Sequence, residues 1–417
     1  HHIIADGWSM GIFTREIASL YEAFSDGERS PLRDLPLQYA DYVIWQRDWL
    51  SGEVLEGQID YWRRQLVGAE GALLRLPSDH PRSPVCSYRG ASQSFAILPD
   101  LSQDLTELSR QNGVTAFMTL FATFLTLLYR YTGQQDILVG YPIANRNRVE
   151  IEELIGLFAN TVVLRGDIHG DPTFLDLLGQ VRQTCLGAYA NQDLPFEKLV
   201  EYLQPERDLS YNPLFQVMFV FRDVSSSVIE LSKLLLAPLD IETQTAKFDL
   251  TLSITRSEHH LIGSFEYSTD LFEAGTITNA IRHFQNLLES IAADASQRVS
   301  EVPMVSQSER SELLAGSQDT RAGYDNSQCL HRTFETRVEL TPEAEAVVFE
   351  DEQVTYGELN RRANQVAWHL RNLGVAPEDV IGVCQRRSPE IIISLLGILK
   401  SGAAYVAIDP DSILSRG

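Results

Sequence analysis

Between Val114 and Tyr131 the chain carries Phe117, Leu120, Phe121, Phe124, Leu125 and Leu128 on one broad helical face, and Gly133 closes the run. That spacing predicts a buried helix. The Ile137–Ile143 run that follows reads as a buried strand. Thr173–Ala190 reads as a second amphipathic helix and Leu214–Phe221 as a second apolar strand. Leu250, Leu252 and Ile254 alternate, as do Phe265 and Tyr267 beyond the polar Ser257–His260 turn, which predicts a hairpin. Thr276–Ala292 closes the region as a helix with Ile277, Ile281, Phe284, Leu287, Leu288 and Ile291 inward. Residues 1–300 are therefore expected to form an α/β domain.

Composition shifts after residue 300. The stretch 303–328 is polar with short apolar anchors such as Met304 and Leu313–Leu314, so 301–328 is expected to be an inter-domain linker that packs partly on its neighbours. From Cys329 a new pattern begins. Val347–Phe349, a turn at Glu350–Gln353 and a helix over Tyr356–Leu373 ending at Gly374 come first. Val380–Cys384 (strand), Pro389–Ser401 (helix) and Tyr405–Ile408 (strand) complete a strand-helix-strand order, as in a parallel sheet. Residues 329–417 are expected to be the N-terminal part of a further domain.

The chain has 417 residues, 44% hydrophobic and 22% charged, enough for two or three soluble domains. Its formal net charge of −23, with no Lys/Arg cluster longer than a pair, argues against nucleic acid or an anionic membrane surface as a partner. Cys86, Cys185, Cys329 and Cys384 are scattered with no CxxC spacing, which fits neither a disulfide framework nor a zinc site and suits a reducing cytoplasm. No apolar run reaches the roughly 18 residues of a membrane helix.

His1-His2-Ile3-Ile4-Ala5-Asp6-Gly7-Trp8-Ser9 concentrates chemistry at the first residue of the chain. Two His with a carboxylate four residues on raise the question of a metal. Metal sites of that sort place their ligands at i and i+4 on a helix. The Asp6-Gly7 step is expected to break a helix, so the run reads as a tight loop and no metal is assigned. Because the run starts at residue 1, the chain is expected to be a piece of a longer protein, with part of the site upstream. The other pairs read blandly: His259–His260 as a solvated turn, Phe117, Phe121 and Phe124 as core.

HHIIADGWS resembles the HHxxxDG signature of nonribosomal peptide synthetase condensation domains. Tyr39–Arg47 (YADYVIWQR) resembles that family's YxDYAxWQR segment, and Ile155–Thr161 (IGLFANT) with Arg165 its IGxFxNTxxxR. Asn191–Glu197 (NQDLPFE) resembles HQDxPFE with Asn in place of His, and Arg207–Leu214 (RDLSYNPL) resembles RDxSxNPL. Any one match is weak; five in order are specific. Further on, Val354–Asn360 (VTYGELN) and Leu399–Pro410 (LKSGAAYVAIDP) resemble the first two core motifs of adenylation domains, although Asp411–Arg416 departs from the usual continuation.

The resemblance implies a chloramphenicol-acetyltransferase-like two-lobed α/β fold with the first lobe truncated, followed by the start of an adenylate-forming-enzyme α/β domain. It implies an amide-forming transfer between a carrier-bound donor thioester and the amine of a carrier-bound aminoacyl thioester. The partners would be upstream and downstream carrier domains, whose phosphopantetheine arms hold the substrates. No cofactor is expected on this chain, and ATP and Mg are implied only for a complete adenylation domain. Among site residues, His2 with His1 is implied as the catalytic pair, and Gly7 is expected to let its N–H face the developing oxyanion. Asp6 is implied as a structural brace paired with an Arg: Arg146, or alternatively Arg148. Trp8 and Ser9 are expected to line or brace the channel, and Asn212 is a candidate for contact with the intermediate or a plain turn residue. Gln192–Glu197 is expected to brace a loop over the channel. DGWSM is most like condensation domains that join L-configured partners. A truncated scaffold or carrier-docking module without activity, and an epimerising relative, stay open as alternatives.

Overall fold

A computed structural model of the chain describes residues 1–68, 73–205, 208–223, 229–230, 235–236, 244–256, 261–318 and 329–410. His259, His260, Arg207 and Asp411–Arg416, named above, lie outside these residues. The chain divides into two compact units, His1–Leu314 and Ala315–Gly417.

The first unit opens with α1 (Gly7–Ser25), α2 (Tyr39–Trp49) and α3 (Gly52–Leu66). Then come β1 (Gly90–Ile97), α4 (Pro99–Gln111), α5 (Ala116–Thr132), β2 (Asp136–Ile143), β3 (Asn160–Asp167), α6 (Phe174–Ala190) and α7 (Phe196–Leu203). β4 (Val217–Asp223), the two-residue strands β5 (Ile229–Glu230) and β6 (Leu235–Leu236), β7 (Leu250–Arg256), β8 (Leu261–Ser268) and α8 (Ala274–Ala293) follow. α9 (Gln307–Gln318) begins in the first unit and runs past its last residue, Leu314. Six strands form one mixed sheet in the order β1-β8-β7-β4-β2-β3. The β7–β8 and β2–β3 pairs are antiparallel, whereas β4 runs parallel to both of its neighbours.

α5 is the centre of this layer. All twelve residues from Phe117 to Leu128 are buried, not one face alone, because α5 packs against α4, α6, α8 and β2. A helix apolar on every side belongs inside a protein. Its threonines fit there because their hydroxyls bond within reach. Thr123 and Thr126 donate to the carbonyls of Thr119 and Ala122, and Thr119 Oγ1 lies 2.7 Å from Ser109 Oγ. Thr115 caps the N-terminus through the Met118 amide, and Gly133 closes the helix at φ 69°.

Three expectations change. HHIIADGWS is irregular only as far as Ala5. Asp6 is an N-cap, and α1 runs for 19 residues beyond it. Gly7 occupies the first helical position, where backbone amides have no intrahelical acceptor in any case, so it does not break the helix. The strand expected from Leu214 starts at Val217. Leu214 adopts φ 69° and Phe215 fills the space over Gly140. Part of the expected linker belongs to the first unit: Val302 is fully buried, and Asn286 and Ser290 on α8 donate to the carbonyls of Met304 and Pro303.

In the second unit, α10 (Leu330–Leu340) precedes an antiparallel hairpin, β9 (Glu345–Phe349) and β10 (Glu352–Thr355). α11 (Tyr356–Asn372), β11 (Val380–Val383), α12 (Pro389–Ser401) and β12 (Ala404–Ala407) follow, with β11 and β12 parallel. The buried Lys400 ammonium reaches Glu335 on α10 and Asn360 on α11, tying three helices together. No single helix among the described residues is long and apolar enough to cross a membrane.

Packing is tight where β2 meets the segment before β4. A Cβ on Gly140 would stand 2.3 Å from Phe215 Cε2, and Phe215 is itself 2% exposed against Phe196 and Phe248. Gly140→Ala should therefore destabilise the first unit by about 1–3 kcal/mol, read as a lowered urea midpoint with an unchanged m-value.

Candidate active site

The connection from β2 to β3 spans residues 144–159, and the chain start is anchored on it. Asp6 is the anchor, with a side chain 2% exposed. Its Oδ1 accepts from the Ser9 amide at 2.8 Å, and its Oδ2 accepts from the amides of Phe158 and Ala159 at 3.0 and 3.1 Å. Arg146 Nη2 lies 3.4 Å from Oδ1 and donates to Ser9 Oγ at 2.9 Å. The Ser9 hydroxyl also accepts from the Gly156 amide and donates to the Gly156 carbonyl. Burial alone would push the Asp6 carboxyl up. The Ser9 amide, the Phe158 amide and the Arg146 guanidinium outweigh it and hold the carboxyl below its ordinary value.

Arg146 is buried too, its side chain fully shielded. Nη1 donates to the carbonyls of Ile151 and Leu154 at 2.6 and 2.7 Å, which folds the 149–154 turn around it. The guanidinium stacks 4.0 Å from the Phe158 ring centroid. Arg148, the other sequence candidate, turns instead to the Trp45 ring at 4.2 Å. Asn145, immediately before Arg146, sits in the left-handed region at φ 53° and is buried, which turns the chain inward as it leaves β2.

With Asp6 inside, its neighbours face out. His1 and His2 are exposed, in a turn closed by the Ile4 amide on the His1 carbonyl at 3.1 Å. His1 Nδ1 accepts from the Ile3 amide, and no partner holds the His2 ring among the described residues. Gly7 is exposed, with open space where a Cβ would stand. The amides of Gly7 and Trp8 occupy the first two positions of α1, at the positive end of the helix. Trp8 is half-exposed and pinned by its Nε1–H on the Glu152 carbonyl at 2.9 Å. Ser9 is fully buried, so its hydroxyl braces the site and does not line a channel.

A second layer stands behind, and the sequence shows it only as short motifs without roles. Tyr39 donates to the Leu157 carbonyl at 2.7 Å, and its ring passes so close to Gly156 that a Cβ there would stand 2.2 Å away. Tyr42, Ile151, Leu154 and Phe158 form a small core of their own. Hence the YADYVIWQR helix, the IGLFANT segment and the chain start meet around one carboxylate. Asn212 joins a different neighbourhood. Its Nδ2 donates to the Lys247 carbonyl, beside the partly buried Arg82–Asp249 pair, with no bond to residues 1–9 among the described residues. None of the described His, Cys, Asp and Glu residues group in threes as a metal would require.

A family model described as a condensation domain matches residues 1–314. The chain belongs to the condensation-domain family. A second model, described as an AMP-binding enzyme, matches residues 334–415, so the condensation domain is followed by the start of an AMP-binding domain. The chain is 48% identical over 412 residues to one of the linear gramicidin synthase proteins of Brevibacillus parabrevis, covering 98% of this chain and 8% of that protein. It is 45% identical over 416 residues to malpinin synthetase of Mortierella alpina, covering 100% of this chain and 5% of that one. It thus spans a small part of these relatives. Among solved structures, a four-domain nonribosomal peptide synthetase bound to AMP and glycine aligns with 98% of this chain and 31% of its own, at TM-score 0.78 and 22% identity. The X-domain from teicoplanin biosynthesis aligns at TM-score 0.65 and 28% identity, over 73% of this chain and 70% of its own. The mixed α/β fold is that of the chloramphenicol-acetyltransferase-like condensation domains.

Asp6→Ala would leave the Arg146 guanidinium buried without its counter-charge, and should cost the condensation domain about 3–5 kcal/mol in denaturant unfolding. A folded, equally stable Asp6→Ala protein would rule out the bracing role. Because the folded-state value of Asp6 lies below its ordinary 3.8, its contribution is complete above that value and disappears as pH falls through the folded one. The pH-stability curve of the native protein should therefore drop more steeply below about 4 than that of Asp6→Asn, as read by thermal melts at matched ionic strength.

Proposed function

We propose that the condensation domain forms an amide bond between two carrier-bound thioesters, as the step that this segment contributes to nonribosomal peptide synthesis. The observation that supports this reading is the exposed His1–His2 turn at the N-terminus of α1, held from below by the buried Asp6–Arg146–Ser9 cluster, in a chain whose residues 1–314 match the condensation-domain family. Carrier domains on either side would bring donor and acceptor on phosphopantetheine arms. The acceptor amine attacks the donor thioester carbonyl, the C–N bond forms and the C–S bond breaks. The released thiolate takes up the proton that the amine gives up.

His2 is the residue that would handle that proton. An α-amine has a pKa of about 8, so on the order of a tenth is already neutral at pH 7, and freeing the rest costs about 1.4 kcal/mol. Fixing both reactants in attack geometry contributes roughly 7–11 kcal/mol. Positioning therefore outweighs base strength. His2 orients the amine and accepts its proton as the zwitterionic intermediate collapses, while the amides at the start of α1 face the developing oxyanion.

In a single-turnover assay with two loaded carrier proteins, His2→Ala in the complete synthetase should lower amide formation by about 10²–10⁴-fold. Raising the pH should not restore it. Full recovery at high pH would replace this mechanism with simple base catalysis, and unimpaired turnover at neutral pH would remove His2 from the chemistry.

A further inference from the structure

The segment 191–196, which joins α6 to α7 and includes the first residue of α7, is fixed from one side by α3. Trp62 Nε1 donates to the Asn191 carbonyl at 2.8 Å. Gln58 Oε1 accepts from the Leu194 amide at 2.7 Å, while its Nε2 donates to Asp193 Oδ2 at 3.3 Å. From its other side the loop makes two ties, and each lands next to a group that holds Asp6.

The first tie is Asn160. Its Nδ2 donates to the carbonyls of Gln192 and Leu194 at 2.9 and 2.8 Å, and its Oδ1 accepts from the amides of Phe196 and Thr161 at 3.0 and 2.9 Å. Both donors of this side-chain amide and both lone pairs of its oxygen are thereby used. The two residues immediately before it, Phe158 and Ala159, supply the amides on Asp6 Oδ2. The second tie is Asn147, whose Nδ2 donates to Asp193 Oδ1 at 3.1 Å. Asn147 directly follows Arg146, which reaches Asp6 Oδ1 and Ser9 Oγ. One loop thus grips the chain beside both sets of donors that fix the N-cap of α1.

We infer that the 191–196 loop is a positioning element for the His1–His2 turn, acting through Asn160 and through the Asp193–Asn147 pair. This rests on the proposed amide-forming role of that turn. A covalent bond transmits a displacement far better than a packed surface does. Moving the loop moves residue 160 or 147, and the next one or two peptide units carry the shift to the donors on Asp6. Asp6 itself is one residue from Gly7 and four from His2. Asn160, Asn147 and Asp193 are positioning residues. They reach the reacting groups only through Asp6 and its partners.

The test measures hydrogen exchange at the amides of Ser9, Phe158 and Ala159, together with single-turnover amide formation in the complete synthetase. Asn147→Ala is the decisive variant, because Asn147 is exposed and its loss leaves the core intact. The expected result is faster exchange at those three amides with an unchanged melting temperature, and a single-turnover rate constant for amide formation lowered by about ten- to a hundredfold at unchanged loading of both carriers. Asn160→Ala should act in the same direction and more strongly. Asn160→Asp keeps the acceptor but sets a carboxylate oxygen against the Gln192 and Leu194 carbonyls, and should loosen the three amides at least as much as Asn160→Ala. Unchanged exchange in Asn147→Ala and Asn160→Ala, or exchange that rises only in step with a fall in melting temperature, would overturn the inference. Should the native synthetase form no amide bond, the reading of function fails, and the exchange measurement alone decides the coupling.

Discussion

A carboxylate taken out of water must find donors for its oxygens, and Asp6 finds them in three separate segments. The Ser9 amide belongs to its own helix, the amides of Phe158 and Ala159 to the end of the β2–β3 connection, and the guanidinium to Arg146 just beyond β2. Removing any of these leaves a buried charge short of partners, which is far more costly than losing a surface contact. The His1–His2 turn inherits its fixed direction from this requirement. His1, His2 and Gly7 are exposed while the side chain of Asp6 between them is drawn inward.

The sheet and the central helix α5 make that arrangement possible at a distance. β2 and β3 are paired along their whole length, from Asp136↔Asp167 to Ile143↔Asn160. The residues between them, 144–159, therefore leave and re-enter the sheet at one end of this strand pair. A long connection held at both ends is restricted in where it goes, and Arg146 restricts it further by collecting the carbonyls of Ile151 and Leu154. The Phe158 ring, backed by Tyr39 and Tyr42, then covers the guanidinium. A planar, delocalised cation tolerates such burial better than an ammonium would, because it combines in-plane hydrogen bonds with stacking on a ring face.

Much of this fold is legible in the sequence, for a simple reason. α5, α6, α8, α11 and α12 bury apolar faces, so their spacing shows directly in the residue order, as does the alternation of β7 and β8. The start of α1 is not legible. Asp-Gly commonly marks a turn, and only the bonds from Ser9, Phe158 and Ala159 show that Asp6 is a helix cap. The onset of β4 differs from the expectation because Leu214 and Phe215 are as apolar as a strand yet serve as a bend and a plug.

The residue pattern by itself determined that the chain holds two α/β units and that the HHIIADG run belongs with four other short motifs. The two units follow from local periodicity, which a linear reading preserves, and the grouping of the motifs follows from their resemblance to those of condensation domains. Which arginine meets Asp6, the inward turn of Ser9, the separation of Asn212 from the His turn, and the grip of loop 191–196 on both sides of Asp6 were decided by the tertiary structure alone. Each depends on which of several chemically equivalent donors lies within about 3 Å of a buried oxygen. That distance is set by how strands and helices pack between segments far apart in the chain.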